Sequence, residues 1–250
     1  MATHLQRDEL FECAKRIDAS LSNIFAGINE LRDAAARLWQ NLSSGQPSSR
    51  DIATLRPLMD RRLTAARGLL QGTGVVLSPG VVQDKDLYLE WRHLNQLGRI
   101  AQLGLNFNRS SESFYDYRDK PWFAGPRDTG DSVVAGPYVD LYGQDMYILT
   151  FASPIRVDGR FVGIAGADVA LNRFENVLVS SLVRLPHEAL IVSDEGRVVA
   201  ANTANWAVGD LARNAFERSS NPGRIVELGE GCARWSLVER PYPRQLAGAA

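Results

Sequence analysis

Ile155-Arg156-Val157-Asp158-Gly159-Arg160-Phe161-Val162-Gly163-Ile164-Ala165-Gly166-Ala167-Asp168-Val169 carries an Asp-Gly dipeptide between two apolar runs. The runs are rich in residues that suit a pleated, buried surface, and Asp-Gly favours the tight turn that joins two antiparallel strands. This predicts a β-hairpin with strands at 146–155 and 160–169. A strand at 138–142 precedes it, so three consecutive antiparallel strands are expected. Upstream, Tyr88, Glu90 and Arg92 alternate with Leu89, Trp91 and His93, the two-residue period of another strand. Gly72-Thr73-Gly74 leads into one more at 75–77.

Outside this sheet the period changes. Leu10, Ala14, Ile17, Leu21, Ile24, Ile28, Leu31, Ala35, Leu38 and Leu42 recur at alternating spacings of three and four. That is the seam of one long helix over 8–42, roughly 50 Å at about 1.5 Å per residue. Phe11, Phe25 and Trp39 widen the stripe, and Gly27 is its weak link. The seam exceeds what one small lobe covers, so a parallel homodimer through this helix is expected. Ser43-Ser44-Gly45-Gln46-Pro47-Ser48-Ser49 breaks the helix, and Asp51 caps a second one over 52–71. After the hairpin comes a helix at 171–181, then short strands at 188–192, 197–201, 225–228 and 232–238, with a turn at Asp194-Glu195-Gly196.

The reading is therefore an α+β chain: a long N-terminal helix (1–50), a larger PAS-like lobe (51–184), and a smaller PAS-like lobe with a frayed tail (185–250). Hydrophobic residues make up 45% and charged residues 23% of the 250, so the bulk folds. A net charge of −1 offers no field for nucleic acid or an anionic membrane surface. Cys13, Cys232, His4, His93 and His187 are scattered and fit no metal-ligand spacing. Neither a metal nor a cofactor is expected, and both cysteines should be unpaired. No apolar run reaches the roughly 20 residues needed to span a bilayer, and the first residues are polar. Taken as a whole gene product, the chain is expected in the cytoplasm.

Chemistry concentrates in Tyr115-Asp116-Tyr117-Arg118-Asp119-Lys120-Pro121-Trp122-Phe123, followed by Gly136-Pro137-Tyr138-Val139-Asp140, Ser153-Pro154-Ile155 and Gly163 to Asp168. This order resembles the double Cache family, extracellular sensor domains of bacterial chemoreceptors and kinases. The resemblance covers most of the chain and implies a ligand-binding first lobe. It places Tyr115, Trp122, Phe123, Tyr138 and Asp168 at the positions that amino-acid-binding members use, with Asp140 beside them. Where the family carries a carboxylate-clamping arginine this chain has Lys120, a point charge in place of a bidentate fork. Arg118, two residues away, is the alternative clamp. The resemblance thus implies a small amine or amino acid as ligand.

The residues support the same chemistry. A buried ammonium needs a carboxylate partner, Asp168 with Asp140 as a second, and aromatic walls from Trp122, Tyr115, Tyr138 and Trp91. Each also has a plainer reading. Trp122 fits a core aromatic anchoring a loop, Trp91 a core residue, and Asp168 a turn or cap at the strand end. Against the last, Asp168 interrupts an otherwise apolar strand, where a lone carboxylate costs several kcal/mol. No phosphate loop, nucleophile elbow or helical His pair is present, which argues against an enzyme. The expected function is a non-catalytic sensor that signals through a partner such as a regulator or transporter. An interaction scaffold working through the first helix is the alternative, and a small metabolic enzyme the third reading.

Overall fold

The computed structural model describes residues 2–42, 45–140, 146–212 and 223–240. The chain divides into two compact units, one of residues 22–174 and one of residues 1–21 with 175–250.

In the first unit, six antiparallel strands form one sheet: β1 (Leu70–Leu77), β2 (Tyr88–Leu94), β3 (Ile100–Gln102), β4 (Val133–Asp140), β5 (Met146–Val157) and β6 (Arg160–Ala170). Their order is β3-β2-β1-β6-β5-β4. The β5–β6 hairpin turns at Asp158 and Gly159, whose φ values of 50° and 76° give the doubly left-handed turn that Asp-Gly favours. The three consecutive strands expected from the sequence are present. Of the expected 138–142 strand, Leu141 and Tyr142 lie outside the described residues, and β4 begins earlier, at Val133.

The alternation in β2 decides which side faces what. Glu90 and Arg92 turn toward α3 (Arg56–Ala65), where Arg56 grips Glu90 at 2.9 and 3.0 Å and Arg92 grips Asp60 at 2.7 and 3.3 Å. Leu89 and Trp91 join an apolar cluster on the other face. Glu90 is fully buried and also accepts the Tyr88 hydroxyl at 2.7 Å. Arg56→Ala strands that carboxylate with one neutral donor. Unfolding in urea should show a loss of roughly 3 kcal/mol, as when one partner of a buried pair is removed.

The helix expected over 52–71 is two short helices, α2 (Ser49–Ala53) and α3, and Leu69 and Leu70 are not part of either. Pro57 sits in the first turn of α3 and has no N–H for the preceding turn, so the two cannot fuse. Positive φ at Arg67 and Gly68 then ends the helix and lets β1 start at Leu70, five residues before the expected strand. The helix α4 (Pro121–Thr129) and strand β3 were not expected. Pro121, Gly125 and Pro126 hide a nine-residue helix from any propensity argument.

The long helix is α1 (Ala2–Gln40). Its residues to Leu21 count with the second unit and those from Ser22 with the first. Leu10, Ala14, Ile17, Leu21, Ile24, Ile28, Leu31 and Ala35 are all buried within this one chain, while Leu38 and Leu42 are half-buried. The homodimer expectation assumed a seam left uncovered, and that premise fails because both units take a share of it. Gly27 is not a weak link: a Cβ there would stand 2.5 Å from Arg62 Nη2, so the glycine seats the Arg62 guanidinium.

The second unit holds α5 (Leu171–Leu182) from Glu175 onward and a four-stranded antiparallel sheet. Its strands are β7 (Glu188–Val192), β8 (Val198–Ala201), β9 (Arg224–Leu228) and β10 (Trp235–Arg240), in the order β8-β7-β10-β9. Cys232 lies in the turn before β10 and not on that strand, as the sequence suggested. Cys13 and Cys232 are both unpaired. The fully buried Glu188 is held by Arg240, Thr203 and Asn205, so its charge is spent inside the lobe. Among the described residues no helix is long and apolar enough to cross a membrane.

Candidate functional site

Phe151 of β5 packs on Phe25 of α1, with ring centroids 5.3 Å apart, which fixes one face of the six-stranded sheet against that helix. The candidate site is on the opposite face. There Trp91 lies over a floor made by three glycines of β1 and β6. A Cβ at Gly72 would meet the indole Nε1 at 2.3 Å, one at Gly74 would meet Cε3 at 2.7 Å, and one at Gly166 would meet Cη2 at 3.3 Å. Side chains at these positions would lift the ring off the sheet.

Asp168 stands beside this floor, in mid-sheet. It is the register partner of Gly72 on β1 and of Thr150 on β5, which rules out the turn or cap reading. Thr150 Oγ1 donates to Asp168 Oδ1 at 2.7 Å. The Tyr138 hydroxyl lies 2.5 Å from Thr150 Oγ1 and donates to it, since the Thr150 hydrogen is already used. Burial pushes the Asp168 carboxyl up to about 7; the Thr150 bond opposes this, and the charge of Asp140 adds to it. No cationic side chain among the described residues offsets it. Burial likewise pushes the Tyr138 phenol far above its ordinary value, reinforced by Asp168.

A small cleft partly open to solvent lies here, with a cavity volume of about 10 Å³, room for about one water molecule. Gln71, Trp91, His93, Leu103, Asp140, Ile148 and Asp168 line it. Burial lowers the affinity of the His93 imidazole for a proton; the charge of Asp140 opposes this and that of Arg92 adds to it. The His93 Nδ1 is buried with no hydrogen-bond partner among the described residues.

Of the residues singled out from the sequence, Trp91, Asp140 and Asp168 thus come together around one cavity, and Tyr138 reaches it through Thr150. Trp122 and Phe123 are core residues of the apolar cluster that includes Trp91, and Tyr115 packs against that cluster. Phe123 is wedged between Tyr117 and Phe161, at 5.1 and 5.5 Å between ring centroids. Lys120 is exposed at the start of α4, its Nζ 5.8 Å from the centre of the Tyr115 ring, and does not line the cavity. Arg118 is bound to Asp116 through Nε and Nη2, at 2.9 and 2.5 Å, and does not line the cavity. The sequence reading missed His93, Gln71, Leu103, Ile148, Thr150 and Gly72. His93 was within reach, because it shares the alternation of Trp91. Gln71 and Gly72 were hidden by assigning their segment to a helix end.

Residues 62–176 match the family model described as "Methyl-accepting chemotaxis protein-like, first PDC sensor domain". That span takes in both the Trp91 floor and Asp168. This chain has the fold of a double Cache sensor module. The ligand-binding domain of the Pseudomonas aeruginosa chemoreceptor PctB in complex with L-Arg superposes with a TM-score of 0.59 at 18% identity, covering 93% of this chain and 94% of that one. The ligand-binding domain of the Pseudomonas fluorescens chemoreceptor CtaA in complex with L-alanine gives 0.60 at 15% identity, covering 96% and 98%. In sequence, the methyl-accepting chemotaxis protein PscA of Pseudomonas syringae is 26% identical over 85 residues, 34% of this chain and 13% of PscA. The match therefore spans a small part of that relative's length.

In this Cache fold, Gly72 controls whether the cavity exists. Gly72→Ala places a methyl 2.3 Å from the Trp91 Nε1 and 3.2 Å from Asp168 Oδ2. The indole must shift, and the cavity beside it is open space that it can enter. We expect ligand-induced thermal stabilisation to vanish in Gly72→Ala while the far-ultraviolet circular dichroism stays that of the wild type.

Proposed function

We propose that the larger lobe reversibly binds a small ammonium-bearing metabolite, an amine or an amino acid, without transforming it. The observation that carries this reading is Asp168: a carboxylate in mid-sheet, facing a cavity that Asp140 also lines, with no cationic side chain beside Asp168 among the described residues. A ligand ammonium supplies the missing charge. Trp91 adds one aromatic wall, worth roughly 0.5–2 kcal/mol by cation–π attraction. Complexes of PctB with L-Arg and of CtaA with L-alanine support an amino group as the recognised feature. The scaffold reading, with α1 as the working part and a degenerate pocket, is separated from this one by the absence of any ligand-induced stabilisation. Signalling then passes to a partner, either a regulator or transporter or further signalling segments such as the chemoreceptor relatives suggest.

A thermal-shift screen over amino acids, polyamines, methylated amines and short carboxylates tests the proposal, since a ligand that binds only the folded state raises its stability. Stabilisation by no amine would sink it, and turnover of the stabilising ligand would make the protein an enzyme. Lys120→Ala sorts the hits. With Lys120 outside the cavity, a pure amine should bind the variant as tightly as the wild type. A ligand whose carboxylate reaches out to α4 should lose roughly two- to fivefold, the range of a solvent-exposed ion pair. Fractionation of the native protein decides between a cytoplasmic placement and the extracellular one of the resembled family.

A further inference from the structure

Acceptors crowd the cavity, and one of them has no partner among the described residues. Asp140 and Asp168 bring carboxylate oxygens. Gln71 donates its amide nitrogen to the Gly68 carbonyl at 2.9 Å and keeps its oxygen as an acceptor. His93 lines the same cavity with Nδ1 buried and unpartnered. A buried ring nitrogen without a partner costs about 1–3 kcal/mol, so its place beside a cavity calls for an occupant that satisfies it.

The neighbours decide what that occupant is. Two carboxylates repel an anionic group and attract N–H donors. A neutral imidazole accepts at whichever nitrogen lacks hydrogen, so the Nε2-protonated tautomer turns Nδ1 into a third acceptor. A primary ammonium has three N–H groups and a guanidinium five, whereas a quaternary ammonium has none. Sites for quaternary ammonium are aromatic cages, and here one indole faces four acceptors.

Resting on the ammonium reading above, we infer that His93 is a specificity-determining residue, whose neutral Nδ1 accepts an N–H of the bound cation and makes the pocket select primary ammonium or guanidinium groups over fully methylated ones. Burial and Arg92 keep the ring neutral at physiological pH against the pull of Asp140.

Calorimetric titration of the purified chain with ethanolamine against choline, and with L-alanine against its N-trimethyl betaine, tests this. The wild type should prefer the primary amine of each pair. His93→Phe and His93→Leu remove the acceptor and should weaken primary-amine binding roughly ten- to a hundred-fold, the value of a hydrogen bond to a charged group. His93→Gln, which keeps a neutral acceptor, should recover most of the loss, and the methylated probes should bind all four proteins alike. Two acceptor-free variants guard against one that fails to fold. Unchanged primary-amine binding in a folded His93→Leu or His93→Phe overturns the role of His93 and leaves the ammonium site standing. Wild-type binding of none of these probes overturns both.

Discussion

Asp168→Asn is expected to weaken ammonium binding thirty-fold or more and at the same time to stabilise the empty protein. Truncating one partner of a desolvated charge pair costs roughly 2–5 kcal/mol, and Asn keeps the shape and the Thr150 contact while losing the charge. The gain in the empty protein follows from the raised pKa. Asp168 titrates near 7 when folded, against an ordinary value of 3.8. Between those values the folded chain holds a proton that the unfolded chain has released, so stability falls as pH rises through this window. Above pH 7 the full cost remains, as much as about 4 kcal/mol at 1.36 kcal/mol per pKa unit. Asn has no such cost. Urea unfolding at pH 5 and pH 8 should show the wild type losing stability with rising pH and the variant losing much less. A folded Asp168→Asn that binds amines with wild-type affinity in calorimetry would remove Asp168 from the site.

The opposite signs in binding and stability identify a functional residue. A structural carboxylate is paired, as Glu90 is with Arg56 or Glu188 with Arg240, and its removal destabilises. Among the described residues Asp168 accepts the Thr150 hydroxyl and has no cationic partner, the arrangement that the proposed trade of stability for ligand binding requires.

How much of this was legible in the sequence follows from how local each signal is. The Asp158-Gly159 turn and the alternation through Trp91 depend on neighbours in the chain, and both came through. Asp168 stood out because a carboxylate in an apolar strand is costly wherever the strand lies. The helix α4 and the start of β1 did not come through, because prolines and glycines there are tolerated by tertiary packing that no propensity scale contains. The roles of Gly72, Gly74 and Gly166 were invisible for a related reason: they exist to admit the Trp91 ring, and that contact crosses three strands. Trp122 was assigned to the ligand wall by its place in a motif. It packs in the apolar cluster that also holds Trp91, 9% exposed, so Trp122→Ala should lower stability in addition to any effect on binding.

Amine affinity of the wild type is expected to fall as the solution is acidified below about pH 7. The bound ammonium requires an ionised Asp168, and in the empty protein that group takes up its proton near pH 7. Below that value the ligand must displace the proton, so the apparent dissociation constant rises toward tenfold per pH unit, roughly a hundred-fold by pH 5. His93 works in the same direction: its burial delays protonation, but once charged it places a cation beside the bound one. The contributions separate in His93→Gln, which removes only the second and should keep the slope from Asp168. Proton release gives an independent readout. At pH 6 binding should expel nearly one proton, seen as a calorimetric enthalpy that changes with the ionisation heat of the buffer; at pH 8.5 that dependence should vanish. The carboxylate is then the element that gives this lobe its affinity and also ties that affinity to pH. A flat affinity between pH 5 and 8, with no buffer dependence, would mean that the ligand's charge is met elsewhere.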